Sequence, residues 1–232
     1  MQLQESAPES GQSFGLAVAA GGGQSNLMNS DWAAQQLHTI RTLMERSALY
    51  RRALAPVMTL TGVLGLAAGG LGWGMGVKNP LHFTLFWAAT ALVAVVGMSL
   101  LIRRQAFKAA EPFWSPPMRR VAQAVSLPAL SAVVLSLLFC LTEPEPGSVY
   151  ELMLVWLLLY GLALNAAGFF MRRGIRLFGW LMALTGLGLG GYFLLAGPPA
   201  GGEAANGWMG ALFGGPHLAY GIYLYFTESK TS

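Results

Sequence analysis

The sequence predicts an all-α integral membrane protein: six transmembrane helices preceded by an amphipathic cytoplasmic helix. Three observations carry this expectation. Of the 232 residues, 54% are hydrophobic and only 10% charged, against roughly 25% charged in a soluble globular protein. Six apolar stretches, at 54–76, 81–102, 121–142, 150–171, 175–196 and 207–226, each have about the 20 residues needed to cross roughly 30 Å of hydrocarbon. Finally, the basic residues are one-sided. All of the 14 lysines and arginines except Lys78 lie before the first stretch, between the second and third, between the fourth and fifth or at the inner edge of the fifth, or after the sixth.

Residues 1–29 are rich in Gly, Ser, Gln and Ala, and low hydrophobicity of this kind predicts disorder. They lack a basic start followed by a long apolar core, so they do not read as a secretory signal. Met28 is a second position from which translation could begin. Over 30–53 the pattern turns helical, with Ser30 or Asp31 at the cap and Leu37, Ile40, Met44 and Ala48 recurring at three- and four-residue steps. Such a helix can lie in the headgroup region, with Trp32 and Tyr50 as anchors and Arg41, Arg51 and Arg52 toward anionic lipid. Docking of the same apolar face on the cytoplasmic loops or on a partner is the alternative.

The six-helix membrane domain is expected over 54–227, followed by a cytoplasmic tail at 228–232. Its inner loops carry Arg103, Arg104, Lys108, Arg119 and Arg120, then Arg172, Arg173 and Arg176; its outer segments carry Glu143, Glu145, Glu151 and Glu203. Positive charge is retained on the cytoplasmic face, which places both termini inside. Pro112, Pro116 and Pro117 prevent a continuous helix through the large inner loop, whose Phe113 and Trp114 suit the interface. Pro128 frees the carbonyl of Ala124 and predicts a kink in the third span. The outer loops around Pro144–Gly147 and Gly197–Asn206 read as short connections.

Glycine recurs at helix-packing spacing: Gly65 with Gly69 and Gly70 with Gly74 in the first span, Gly186 with Gly190 in the fifth, and Gly210 with Gly214 in the sixth. Without side chains there, backbones approach closely, either within one chain or between chains.

Apart from Arg176 at the inner edge of the fifth, no Asp, Lys or Arg falls inside the six stretches, which argues against an ion pump or a proton-coupled transporter. His217 follows Gly214, Gly215 and Pro216. One reading is helix glue, with neutral His217 bonded to Asn165 or Tyr160 on the fourth span. The other is a ligand site at a broken helix. His82 lies near the surface and His38 outside the bilayer, so neither shares a metal or a haem with His217. Cys140 is the single cysteine; it excludes an intrachain disulfide and reads as a small apolar helix residue. Walker, dinucleotide, HExxH and GxSxG motifs are missing, so no catalytic residue, cofactor or metal is expected. The basic residues sit beside span ends rather than in one surface stripe, which excludes nucleic acid.

Taken in order, Ile40–Tyr50 (IRTLMERSALY), Ser115–Val121 (SPPMRRV), Trp156–Gly161 (WLLLYG) and Gly214–His217 (GGPH) resemble an uncharacterised family of six-helix bacterial inner-membrane proteins. The resemblance implies that location and lends no activity, so no functional residue is carried over.

The expected function is therefore non-catalytic: a membrane-embedded accessory, sensor or scaffold protein, whose partners are the lipid bilayer and either another membrane protein or a second copy of the chain. The alternative is a small carrier or channel for a neutral or weakly charged solute, with His217, Asn165, Tyr160, Tyr220 or Thr185 lining the broken sixth helix.

Overall fold

A computed structural model describes residues 53–108, 114, 116–141, 148–171 and 173–228. Among them every regular element is helical: α1 (Ala53–Gly74), α2 (Pro80–Lys108), α3 (Pro116–Leu141), α4 (Ser148–Ala167), α5 (Arg173–Ala196), α6 (Ala204–Met209), a π turn over Gly210–Gly214, and α7 (Gly215–Glu228). Five of these, α1 to α5, are long and apolar enough to cross a membrane. The sixth expected span departs from the prediction. Instead of one helix over 207–226, the chain runs through α6, the π turn and α7. The local cause is composition: three glycines and Pro216, which lacks an N–H, weaken the regular i to i−4 ladder there. The segment expected to be disordered (1–29), the amphipathic helix expected at 30–53 except Ala53, and the tail beyond Glu228 lie outside the described residues.

Local chemistry fixes several helix ends. The Asn79 side-chain oxygen accepts from the backbone N–H groups of Leu81 (2.9 Å) and His82 (3.4 Å), and Pro80 fills the first helical position of α2. At the end of α5, Gly197 takes φ +78° while its N–H donates to the Phe193 carbonyl at 2.9 Å. A side chain would be strained at that left-handed cap. Through Pro128, α3 continues as one helix.

Two close antiparallel pairs form the centre. In the first, α4 lies on α5: a Cβ added to Gly179 would stand 2.6 Å from the Asn165 backbone nitrogen, one on Gly186 would stand 3.1 Å from the Leu154 carbonyl, and one on Gly161 would strike the backbone of Ala183. In the second, α1 lies on α6, the π turn and α7. Added Cβ atoms there would meet Gly214 from Gly65 at 2.9 Å, Gly210 from Gly69 at 2.6 Å and Asn206 from Gly72 at 2.6 Å. Gly62 against Leu218 and Gly221 against Thr59 continue the line. Around these pairs, Phe83, Trp87, Leu152, Met153, Leu157, Met182 and Met209 form the main buried cluster. A second cluster gathers Leu54, Met58, Ile175 and Leu224 at the opposite end.

The remaining helices are peripheral. Only 6% of the most apolar window of α2, and likewise of α3, is buried, against 44% in α1. Phe83 and Trp87 anchor the start of α2 in the main cluster, and polar contacts between helices add to this: the Trp156 N–H donates to the Ser136 hydroxyl at 2.8 Å, and the Cys140 thiol reaches Thr84 Oγ1 at 3.7 Å. The outward faces carry leucine and valine, among them Leu92, Val96, Leu127, Leu137 and Leu195. So much contiguous apolar exposure marks a surface that meets lipid or another protein.

Candidate functional site

Two buried polar joints lie along the α6, π turn and α7 segment. The deeper one centres on His217, which is 0% exposed. Its Nδ1 stands 2.6 Å from the Phe213 carbonyl and its Nε2 2.7 Å from the Tyr160 hydroxyl. A carbonyl only accepts, so in the neutral ring Nδ1 carries the proton and Nε2 accepts from the Tyr160 O–H. Both ring nitrogens are therefore occupied. The rings of Phe213, Phe178 and Tyr160 close around the imidazole with centroids at 4.4, 4.7 and 5.4 Å. Just upstream, the π turn shares the Gly215 N–H between the carbonyls of Gly210 and Ala211. Such turns often mark functional positions in helices.

The second joint is at the start of α6. Asn206 is also 0% exposed. Its side-chain oxygen accepts from the Trp87 indole N–H at 3.0 Å, and its amide nitrogen donates to the carbonyls of Val77 (2.6 Å) and Glu203 (3.1 Å). One side chain thus ties α2, the α1–α2 connection and α6 together. Nearby, the Tyr150 hydroxyl donates to the Gly201 carbonyl at 2.9 Å.

These bonds also fix which helix ends lie together. The Asn206 end gathers the end of α1, the start of α2, the start of α4 and the loop before α6; Cys140 and Thr84 add the end of α3. Of the described basic residues, Lys78 alone belongs to this end. Arg103, Arg104, Lys108, Arg119, Arg120, Arg173 and Arg176 all belong to the other. There Arg103 stands over the Phe107 ring and Arg176 over the Phe169 ring, each at 5.4 Å.

The structure brings His217 and Tyr160 together beside Pro216, as one sequence reading had it. Asn165 is elsewhere: its backbone lies against Gly179, and its side-chain nitrogen is buried without a hydrogen-bond partner. Thr185 donates to its own helix at Leu181, 2.8 Å away, while Tyr220 stacks on Phe178 at 5.4 Å. Of the glycines named from spacing, Gly65, Gly69, Gly186, Gly210 and Gly214 sit at close contacts, and Gly190 has only an ordinary one, 3.8 Å to Leu154. Gly70 and Gly74 face open space with nothing within 4 Å, because they point away from the α7 side of α1. Arg41, Arg51, Arg52 and Arg172 lie outside the described residues. Among the described residues, no group of three or more His, Cys, Asp or Glu could hold a metal ion.

Sequence reasoning missed Asn206, Trp87, Gly62, Gly72 and the Gly161–Gly179 contact. A signal for the first glycines was present: 62, 65, 69 and 72 follow three- and four-residue steps along one helix face. Asn206 is harder to find, since an asparagine after a Gly-rich loop usually reads as loop.

Tyr160→Phe removes one hydrogen bond between helices and leaves the aromatic packing. It should lower stability by about 0.6 kcal/mol, with about 1.7 kcal/mol as the upper bound for such bonds in a membrane protein, and so shift the thermal midpoint in detergent by roughly 2 °C. A shift several times larger would mean that the hydroxyl supports more than His217.

No protein-family model matches the chain, and neither a curated protein nor a solved structure matches it.

Proposed function

We infer that the protein is a non-catalytic, membrane-embedded scaffold or accessory protein, acting through helix contacts and a basic cytoplasmic face. The observation that carries this reading is the closed state of His217: no exposure and both ring nitrogens bonded within the bundle. A carrier needs a polar group that solute and water can reach at membrane depth. In the scaffold reading, the same polar group is helix glue.

The reading includes a sixth crossing. Residues 204–228 form an unbroken helical run, and 25 residues at 1.5 Å each reach roughly 37 Å, enough for the hydrocarbon layer. It also includes orientation: the end with seven of the eight described basic residues faces the cytoplasm, in a bacterial inner membrane, with both termini inside. The exposed faces of α2 and α3 are the surfaces offered to lipid, to another membrane protein or to a second copy.

His217→Cys in a Cys140→Ala background tests the closed interior. In the folded protein a small maleimide should leave the introduced thiol unlabelled and should react with it only after denaturation; rapid labelling of the folded protein would favour the carrier. Orientation has its own check. In intact cells and in the same Cys140→Ala background, Lys78→Cys should react with a membrane-impermeant reagent and Lys108→Cys should not, whereas the opposite pattern would invert the topology.

A further inference from the structure

We propose that α2 carries a binding groove for one anionic phospholipid, with an acyl chain along Val95, Val96, Ser99 and Leu100 and the lipid phosphate at Arg103. The proposal rests on the membrane reading above and adds a ligand class to it. A groove of about 520 Å³ runs along this stretch, lined among the described residues by those four together with Arg103, Ala106 and Phe107. Val95, Val96, Leu100 and Phe107 are all at least half exposed, so the groove opens outward from the bundle rather than into the His217 interior.

Three features select this occupant. First, depth fits one leaflet: the eight steps from Val95 to Arg103 rise about 12 Å at 1.5 Å each, close to half of a hydrocarbon layer of roughly 30 Å. A chain lying there would bring its headgroup level with Arg103. Second, the charge on the described part of the lining is positive. Among the described residues the lining holds Arg103 and no carboxylate, and a guanidinium can grip a phosphate through two parallel N–H donors. Third, Arg103 is placed for that task. It stands over the Phe107 ring at 5.4 Å, which holds the cation at the groove mouth instead of leaving it free to swing into solvent. Arg104, Lys108, Arg119 and Arg120 belong to the same end, and their field favours an anionic headgroup over a zwitterionic one.

The test uses the full-length protein, purified in mild detergent and stripped of lipid. Native mass spectrometry then counts bound phosphatidylglycerol and bound phosphatidylcholine of identical chains. The wild type should retain one phosphatidylglycerol in preference to phosphatidylcholine. Arg103→Gln should weaken that retention about five-fold, the equivalent of about 1 kcal/mol for one basic residue beside anionic lipid. Leu100→Trp, which fills the groove, should abolish it. Arg120→Gln removes a cation outside the groove and should leave it unchanged. Both altered groove positions lie on the outward side of α2, so an unchanged thermal midpoint in detergent alone certifies folding. Equal retention of the two lipids, or equal losses in Arg103→Gln and Arg120→Gln, would overturn the proposal in favour of a diffuse basic face. A change in oligomeric mass with Leu100→Trp and no change in lipid count would instead assign the groove to a second copy of the chain. Either failure is separable from failure of the scaffold reading, which maleimide labelling of the His217→Cys variant decides on its own.

Discussion

Gly214→Leu should prevent the protein from being recovered as a single folded species. A Cβ at this position would lie 2.5 Å from the Leu66 backbone nitrogen and 2.9 Å from both the Gly62 carbonyl oxygen and the Gly65 carbonyl carbon. All three are main-chain atoms of a helix, so no rotamer change relieves the clash; the two helices must separate. Separation would also break the neighbouring contacts at Gly65 and Gly69, which lie on the same line. The cost should exceed about 4 kcal/mol, the range reserved for a few severe mechanisms. Gly70→Leu is the matched control. It adds the same side chain to the same helix pair where nothing stands within 4 Å, and it should change stability by no more than about 0.5 kcal/mol. Size-exclusion chromatography and thermal unfolding in detergent read both. If the two variants behave alike, the backbone contact between α1 and the π turn is not what holds this pair.

Asn206→Ala should be the most damaging polar substitution. It removes three hydrogen bonds at once and leaves the Trp87 N–H and the Val77 carbonyl without the partner they have in the native protein. At about 0.6 kcal/mol per bond in a membrane setting the total is roughly 2 kcal/mol. At the roughly 1–3 kcal/mol typical of an unsatisfied buried group it would be larger. Because Asn206 is fully buried, the larger figure should be approached, with a drop of about 5 to 10 °C in thermal midpoint. Adding Trp87→Phe separates the causes. If the indole bond matters, that change should cost clearly less on the Asn206→Ala background than in the wild type. Simple additivity would mean that Asn206 acts through the Val77 and Glu203 carbonyls alone.

Much of this fold is legible in the sequence because membrane spans announce themselves by length and polarity. Five of the six apolar stretches correspond to single helices, and the described basic residues other than Lys78 collect at one end of them as their spacing implied. The sixth stretch shows where that approach stops. Hydropathy reports only how apolar a segment is, and 207–226 is apolar enough; it does not report that glycines and Pro216 loosen the ladder into a π turn. The same limit applies to the site. His217 and Tyr160 were candidates because polar groups at membrane depth are conspicuous. Asn206 was hidden, since its importance comes from Trp87, more than a hundred residues away in the chain. Gly70 and Gly74 show the converse error: spacing identifies a face, but not whether anything lies against it.

The register of the α1 pairing has a consequence for how this last helical segment can be replaced. From Gly72 to Thr59 there are 13 steps, while their opposite numbers, Asn206 to Gly221, are 15 apart, and the π turn absorbs part of that surplus within the same rise. Each residue of a regular helix turns the chain by about 100°. Forcing this segment into one regular helix of the same length would therefore keep it long and apolar enough to insert, yet the surplus residue, no longer taken up by the wider turn, would rotate everything beyond it by about 100°. His217 would swing off Tyr160 while Gly210 stayed on Gly69. A transplanted helix of equal hydrophobicity, or an artificial polyleucine segment, would fail in the same way: it would enter the bilayer and find no seat in the bundle.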